Sequence, residues 1–301
     1  MTFYELYARW ARFLYTRSLP YPLLYVLAML PFHWRSQKQL DGFSMELDLR
    51  DLLQTNIMVK GVWDPELSRW LSYLASSAQV IVDVGSHCGY FSLIAHRFAP
   101  ETAYVYSFEP NPRLQAQYMR NVVINKFDRM RLVPMAVSDT LGTTTLYVPQ
   151  MIQPGAGSLF RTSGLSQRID TQTVTLDSFC DDMDIQRVDV VKMDIEGGEA
   201  AALAGMRQGL SAGRYSILVV EMHPMLLASD TIRSIEHNFR EMGYNLFYLK
   251  DKEAQPVQGD MLLTFHGQVV AVHASQLPAL HSEDGGRSLS LPEPFSSLFA
   301  G

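Results

Sequence analysis

Val80-Ile-Val-Asp-Val-Gly-Ser-His-Cys-Gly-Tyr-Phe-Ser92 reads as a buried strand, a glycine-bearing turn and the start of a helix, in immediate succession. The apolar run Val80–Val84 suits a strand covered on both faces. Helical spacing follows at once, with Phe91, Ile94, Ala95 and Phe98 at i, i+3, i+4 and i+7. Twenty-six residues beyond Asp83, a second apolar run, Tyr104–Phe108, ends in Glu109. A strand, a glycine turn, a helix and a second strand closed by an acid form the unit with which an α/β sheet grips an adenosine-bearing ligand. The glycines let backbone approach the ligand, and the later carboxylate offers two acceptor oxygens to the ribose hydroxyls. An ordinary strand–turn–helix with incidental glycines is the plainer alternative, and Glu109 at its spacing weighs against it.

Glycine spacing narrows the ligand. A dinucleotide fold uses three glycines as G-x-G-x-x-G, so that a helix N-terminus faces a pyrophosphate. Here the pattern is Asp83-x-Gly85-x-x-x-Gly89, with two glycines and a carboxylate just before them. An acidic rim suits an amine-bearing, anion-poor ligand better than a pyrophosphate, and S-adenosyl-L-methionine carries a sulfonium, an ammonium, a carboxylate and an adenosine.

Strands and helices alternate along the chain. Pro65–Ala75 places Leu67, Trp70, Leu71 and Leu74 on one helical face, and Asn111-Pro112 supplies a cap and a first helical proline for a helix to about Asn125. Strands are expected at Arg131–Val137, Thr143–Val148, Val188–Ile195, Ser216–Met222, Asn245–Leu249 and Met261–Phe265, with helices at Glu199–Gly209 and Thr231–Met242. This alternation predicts a mostly parallel sheet with helices on both faces, whose ligand sits beyond the carboxyl ends of the strands. Asp83–Gly89, Glu109, Val137–Asp139, Asp194–Glu199 and Glu221–His223 then share one rim.

The 301 residues, 47% hydrophobic and 19% charged, suit one large α/β domain with additions, and a net charge of -6 argues against a nucleic-acid partner. Cys88 and Cys180 are too few for a disulfide framework and lack metal-ligand spacing, which fits a reducing, cytoplasmic compartment. Residues 1–44 read as an N-terminal helical extension. Leu19–Trp34 is uncharged and rich in Leu, Tyr and Met, too short and proline-broken to span a bilayer, and Arg9, Arg12 and Arg17 precede it. Two readings stand for it: a peripheral membrane contact through residues 1–40, or a helical piece packed on the main sheet. Residues 45–280 form the main domain, and residues 281–301, rich in Ser, Gly and Pro, are expected to be a flexible tail.

Several motifs recur in order across about residues 45–225. They are Asp48-Leu-Arg-Asp51 with Gly61, Val82-Asp-Val-Gly85 with Gly89-Tyr-Phe91, Phe108-Glu-Pro-Asn111, Asn121 and Asn125, Ala136-Val-Ser-Asp139, Thr175-Leu-Asp177, Val191-Lys-Met-Asp-Ile-Glu-Gly-Gly-Glu199 and Glu221-Met-His-Pro224. On these residues the chain resembles the FkbM-type S-adenosylmethionine-dependent methyltransferases. The resemblance implies a seven-stranded, mostly parallel Rossmann-like methyltransferase sheet with a late antiparallel strand. It also implies O-methylation of a hydroxyl on a sugar, a glycan or glycolipid, or a secondary metabolite. Gly197-Gly198 departs slightly from the Gly-Ala more usual in the family.

Within that frame Asp83 anchors the cofactor ammonium, Gly85 and Gly89 admit the methionine portion, Glu109 takes the ribose, and Ser138 or Asp139 lies at the adenine edge. Asp194, Glu196 and His223 stand where the methyl group should point, as candidates to accept the acceptor's proton. Asp194 and Glu196, two apart, face opposite ways unless the strand has already turned, whereas Glu196 and Glu199 share a helical face. His223 also reads as a plain hydrogen-bonded loop residue. The carboxylates of Asp194, Glu196, Glu199 and Glu221 with His223 are numerous enough for a divalent cation, a sharper alternative; spacing alone does not show that they converge, and no metal is assigned. The loop Pro154–Leu159 reads equally as a lid or a connector. N-methylation of protein or RNA is an alternative, against which Asp194-Ile-Glu-Gly replaces the Asn/Asp-Pro-Pro-aromatic turn. A membrane-associated binding module without catalysis is another, against which Asp83, Gly85, Gly89 and Glu109 are all present.

Overall fold

The structure, a computed structural model, describes residues 35–149, 166–264, 266–280 and 288–299. A hairpin of β1 (Arg35–Gln39) and β2 (Ser44–Asp48) leads into helices α1 (Leu52–Lys60) and α2 (Pro65–Ala75). Then come β3 (Val80–Val84), α3 (Tyr90–Phe98), β4 (Tyr104–Phe108), α4 (Pro112–Asn125) and β5 (Met130–Val133). A small separate sheet follows, of β6 (Ala136–Val137), β7 (Gly142–Pro149) and β8 (Ser166–Val174). The chain returns through α5 (Leu176–Asp182), β9 (Val188–Met193), α6 (Glu199–Ala204), α7 (Arg207–Ser211), β10 (Tyr215–Met222) and α8 (Ser229–Glu241). It closes with β11 (Tyr244–Lys250), β12 (Glu253–Pro256), β13 (Gly267–His273) and β14 (Leu289–Ser290).

The main sheet runs β5-β4-β3-β9-β10-β13-β11-β12-β14. Its first five strands pair in parallel, and β13 lies antiparallel between β10 and β11. Seven strands therefore form the sheet expected from the sequence, and the short β12 and β14 extend it to nine. Alternate residues serve two cores. Ile81, Val105, Val190 and Val219 pack on one face, and Val82, Val84, Val191 and Val220 on the other. Burial on both faces is why these strands are apolar throughout. The strand order reverses between β3 and β9, which opens a crevice at their carboxyl ends.

Local chemistry sets the helix starts. The Asp64 carboxylate accepts the Leu67 N–H at 3.0 Å ahead of Pro65, and Asn111 Oδ1 accepts the Arg113 N–H at 3.1 Å ahead of Pro112. Asn121 and Asn125 on α4 clamp the edge of β2. Their Oδ1 atoms accept the N–H groups of Glu46 and Ser44, both at 2.7 Å, while Asn121 Nδ2 donates to the Cys88 carbonyl at 2.9 Å. One side chain thus joins the hairpin, the helix and the glycine loop.

Five expectations are corrected. Residues 35–39 of the supposed helical extension are a strand, and β1–β2 pairs antiparallel from Arg35 opposite Asp48 to Gln39 opposite Ser44. The tail is ordered over 288–299, because Leu289 and Ser290 pair with Ala254 and Glu253 and Phe295 packs on Tyr73 and Phe98, covering the sheet edge. Met261–Leu263 is a single 3-10 turn that buries Leu262, and the strand is the β-branched run after Gly267. The helix from Glu199 breaks at Gly205, where a Cβ would lie 2.1 Å from the Ser138 carbonyl oxygen. The strand expected over Arg131–Val137 divides at Pro134, which has no N–H to pair. Residues 1–34, the core of the proposed membrane contact, and the loop Pro154–Leu159 lie outside the described residues. Among the described residues no helix is long and apolar enough to cross a membrane.

Candidate active site

β3 and β9 end side by side, and the glycine turn begins where they meet. Gly85 has φ +79°, and a Cβ there would lie 2.0 Å from the Asp194 carbonyl oxygen. Gly89 has φ +92°, and its Cβ would fall 2.8 Å from the Tyr118 ring. Both glycines are therefore demanded by protein packing as well as by a left-handed backbone. Gly85 and Ser86 donate their N–H groups to the Phe108 carbonyl, each at 3.0 Å, which ties the turn to the end of β4.

Glu109 sits at that end with both oxygens engaged. Oε2 accepts the His87 N–H at 2.9 Å and Oε1 accepts the Asn111 N–H at 2.8 Å. Each oxygen keeps a second lone pair, and Glu109 lines a cavity of about 1070 Å³, its open mouth included. Burial pushes the Glu109 carboxyl upward, against the pull of the two N–H groups. Gly85, His87, Asp194 and Glu196 share the cavity wall, and Trp63, Phe108, Met135 and Val137 supply apolar surface. His87, with no role assigned from the sequence, meets Asp51 Oδ2 through Nε2 at 3.1 Å. Burial opposes a charge on this ring, but the Asp51 carboxylate outweighs it and holds the pKa well above the ordinary histidine value.

Asp83 lies elsewhere than expected. It is 2% exposed, is not part of the cavity wall, and is opposite Lys192 in the β3–β9 register. Lys192, equally buried, places Nζ 3.3 Å from Asp83 Oδ1 and donates to the Gly85 carbonyl at 3.1 Å. Ser92 donates to the other Asp83 oxygen at 2.5 Å. A buried ammonium needs a counter-charge, and Asp83 provides it. The acid on the cavity side of the turn is Asp194, whose Oδ2 is 3.9 Å from Lys192 Nζ. The one sequence signal for this pair was a lysine inside an apolar strand.

Asp194 and Glu196 both face the cavity, because the chain has already left the strand: Glu196 has φ +53° and Gly197 φ +100°. Glu196 precedes α6, so it shares no helical face with Glu199; instead the two flank His223. Glu196 Oε2 is 3.9 Å from His223 Nε2, and Glu199 Oε1 is 3.6 Å from Nδ1. Glu199 is fully buried and also accepts the Ile195 N–H at 3.1 Å. Burial works against a charged His223, but Glu199 and Glu221 outweigh it and raise the ring to about 9. Burial, reinforced by Asp194, pushes Glu196 up and Glu221 to about 8. His266, not singled out in the sequence, brings Nε2 to 3.6 Å from Glu221 Oε1.

Ser138 and Asp139 do not reach the wall. Ser138 donates its N–H to Val174 and its Oγ turns to Asp139, so the chain joins the small sheet once past Val137. Met135, Ala136 and Val137 are the residues that line the cavity there.

A doubly wound sheet with this order, a glycine turn after its first core strand and an acid after its second is that of the Rossmann-like methyltransferases. The family model of the methyltransferase FkbM domain matches residues 83–246, and the chain belongs to that family. A curated relative, the 2-O-methyltransferase NoeI of Sinorhizobium fredii (strain NBRC 101917 / NGR234), is 26% identical over 161 residues. That match covers 48% of this chain and 64% of the relative, so the chain spans less than two thirds of the relative's length. Among solved structures, the methyltransferase FkbM of Methylobacillus flagellatus KT aligns with 73% of this chain and 52% of its own, at 16% identity and a TM-score of 0.41. P. horikoshii TYW2 in complex with MeSAdo aligns with 81% of this chain and 73% of its own, at 12% identity and a TM-score of 0.42.

Proposed function

We propose that the protein is an S-adenosyl-L-methionine-dependent O-methyltransferase acting on a hydroxyl of a sugar, a glycan or glycolipid, or a secondary metabolite. The observation that carries the reading is Glu109. A carboxylate at the end of the second core strand, pinned by two backbone N–H groups, lines an open cavity with a lone pair left on each oxygen. Two adjacent ribose hydroxyls are the donors that match it. The relative's name, a 2-O-methyltransferase, supports a hydroxyl acceptor.

The donor set fits the cofactor. The apolar wall of Phe108, Met135 and Val137 suits an adenine ring, and the acids Asp194 and Glu196 suit a ligand with cationic groups. Asp194 takes over the part expected of Asp83, since it is the acid beside Gly85 that faces the cavity. When bound, S-adenosyl-L-methionine supplies a methyl group on a sulfonium. Gly85 and Glu109 orient its two ends, and the cavity wall shields the exchange from water. Glu196 is the proposed proton acceptor for the acceptor hydroxyl, because burial and Asp194 raise its carboxyl toward the working pH. His223, set between Glu199, Glu221 and Glu196, positions Glu196 rather than accepting the proton itself.

Calorimetric titration with S-adenosyl-L-methionine tests the reading. Wild type should bind in the micromolar range and Gly85→Asp should give no heat, with circular dichroism reporting whether that variant is folded. Absence of binding by folded wild type would overturn the proposal, and transfer to amines but not hydroxyls would overturn its O-methyl part.

A further inference from the structure

Beyond the glycine turn, the rim carries a second cluster, of which the steps above use His223 alone, to position Glu196. Glu221 stands near the end of β10, His223 directly follows it, and His266 precedes the antiparallel β13. Glu221 Oε1 lies 3.6 Å from His223 Nε2 and 3.6 Å from His266 Nε2, and the two imidazole rings stand edge to face at 5.1 Å. The three ligand atoms all fall within 4.8 Å of one another, and the same holds for Asp194, Glu196 and His223. None of these separations is a hydrogen bond. Ligand atoms held about 2.1 Å from one cation sit roughly 3 to 4.2 Å apart in tetrahedral or octahedral arrangements.

His223 gives an independent sign. It is 7% exposed, its Nδ1 has no hydrogen-bond partner among the described residues, and Nε2 lies 3.6 Å from Glu221 and 3.9 Å from Glu196. The surroundings are those of a metal ligand. Fully buried Glu199 stands behind Nδ1 at 3.6 Å, and Gln268 Nε2 donates to the other Glu221 oxygen at 3.2 Å. A carboxylate behind the far nitrogen of a ligating histidine fixes the ring and its tautomer. The exposed His266 leaves an entry path from solvent.

The geometry points to a binding site for one divalent transition-metal cation, ligated by Glu221 Oε1, His223 Nε2 and His266 Nε2. Two imidazoles and one carboxylate select manganese, cobalt or zinc over magnesium or calcium. Three protein ligands leave positions open on the side of Glu196 and Asp194, which line the cofactor cavity. An acceptor oxygen can occupy one of them, so that the cation acidifies the hydroxyl whose proton Glu196 takes. This use of the site rests on the methyltransferase reading, whereas the site itself does not.

The test is metal binding by the full chain after chelator treatment, with Co²⁺, Mn²⁺ or Mg²⁺ added alone. Calorimetry gives affinity and stoichiometry, and the visible absorption of Co²⁺ reports imidazole ligation. One Co²⁺ or Mn²⁺ should bind per chain, Mg²⁺ should bind much more weakly, and His266→Ala and Glu221→Gln should each weaken Co²⁺ binding by roughly tenfold or more. His266 is exposed, so His266→Ala remains informative if Glu221→Gln fails to fold. Lack of Co²⁺ binding by wild type, or unaltered binding by His266→Ala, would overturn the proposal. Titration of the same metal-free protein with S-adenosyl-L-methionine separates the two readings: cofactor binding without metal binding sinks only the metal site. Metal binding that His266→Ala abolishes, without cofactor binding, upholds the metal site and sinks the methyltransferase reading.

Discussion

Replacing Glu109 is the sharpest way to separate a ribose-binding carboxylate from a structural one. Its two oxygens each hold one backbone N–H, at 2.9 and 2.8 Å, and each has one lone pair left for a ribose hydroxyl. Glu109→Ala removes both sets. Loss of a hydrogen bond to a charged group costs about 1.5–3 kcal/mol. At 1.4 kcal/mol per decade, that is a dissociation constant for S-adenosyl-L-methionine raised about 10- to 150-fold. The alanine variant also leaves the N–H groups of His87 and Asn111 without their acceptor, at roughly 1–3 kcal/mol for each that stays dry. Its melting temperature should fall as well. Glu109→Gln keeps the shape and one acceptor oxygen but turns an amide N–H₂ toward one of the two N–H groups. It should therefore bind the cofactor more weakly than wild type and melt between wild type and alanine. Calorimetry and thermal melting on the same samples give both quantities. An unchanged dissociation constant in a folded alanine variant would refute the ribose assignment, whatever happened to stability.

Two further outcomes concern the scaffold. Burial pushes Asp48 up, but Arg50 and Arg113 outweigh it and hold the carboxyl at about 2 rather than 3.8. A folded-state pKa below the unfolded one gives stability that is present above pH 3.8 and lost as pH falls through about 2. The shift corresponds to roughly 2 kcal/mol. Asp48→Asn should lose about that much stability at neutral pH and flatten the acid limb of urea melts, and an unaltered acid limb would contradict the assignment. Lys192→Met should cost roughly 3–5 kcal/mol by leaving Asp83 buried without its counter-charge, and adding Asp83→Asn should restore much of it. A loss within about 0.5 kcal/mol, typical of a surface residue, would show that the pair does not hold the turn.

What could be read from the chain, and what could not, follows from the range of each interaction. Asp64-Pro65 and Asn111-Pro112 announce their helices because a cap and its N–H lie two or three residues apart. Val80–Val84 and Val188–Met193 announce buried strands because both of their faces need apolar side chains. The pairings of Leu289 with Ala254 and of Arg35 with Asp48 carry no comparable local mark, so the far edge of the main sheet and the separate β1–β2 hairpin were missed. His266 escaped notice for the same reason, since β13 runs back antiparallel to deliver it to a rim otherwise made by parallel strands. Asp83 is the instructive case. Its position before the glycine turn invites a ligand, but side chains alternate along a strand and its register sets it against Lys192, which only the β3–β9 pairing reveals. A lysine buried in a parallel sheet must be neutralised by an adjacent strand, and the nearest acid on β3 is then no longer free for the cofactor. Negative charge for the ligand has to come from beyond the strand ends, where side chains point up into the crevice. Asp194, the first residue after β9, meets that condition, and so the same lysine that withdraws Asp83 from the site directs attention to Asp194.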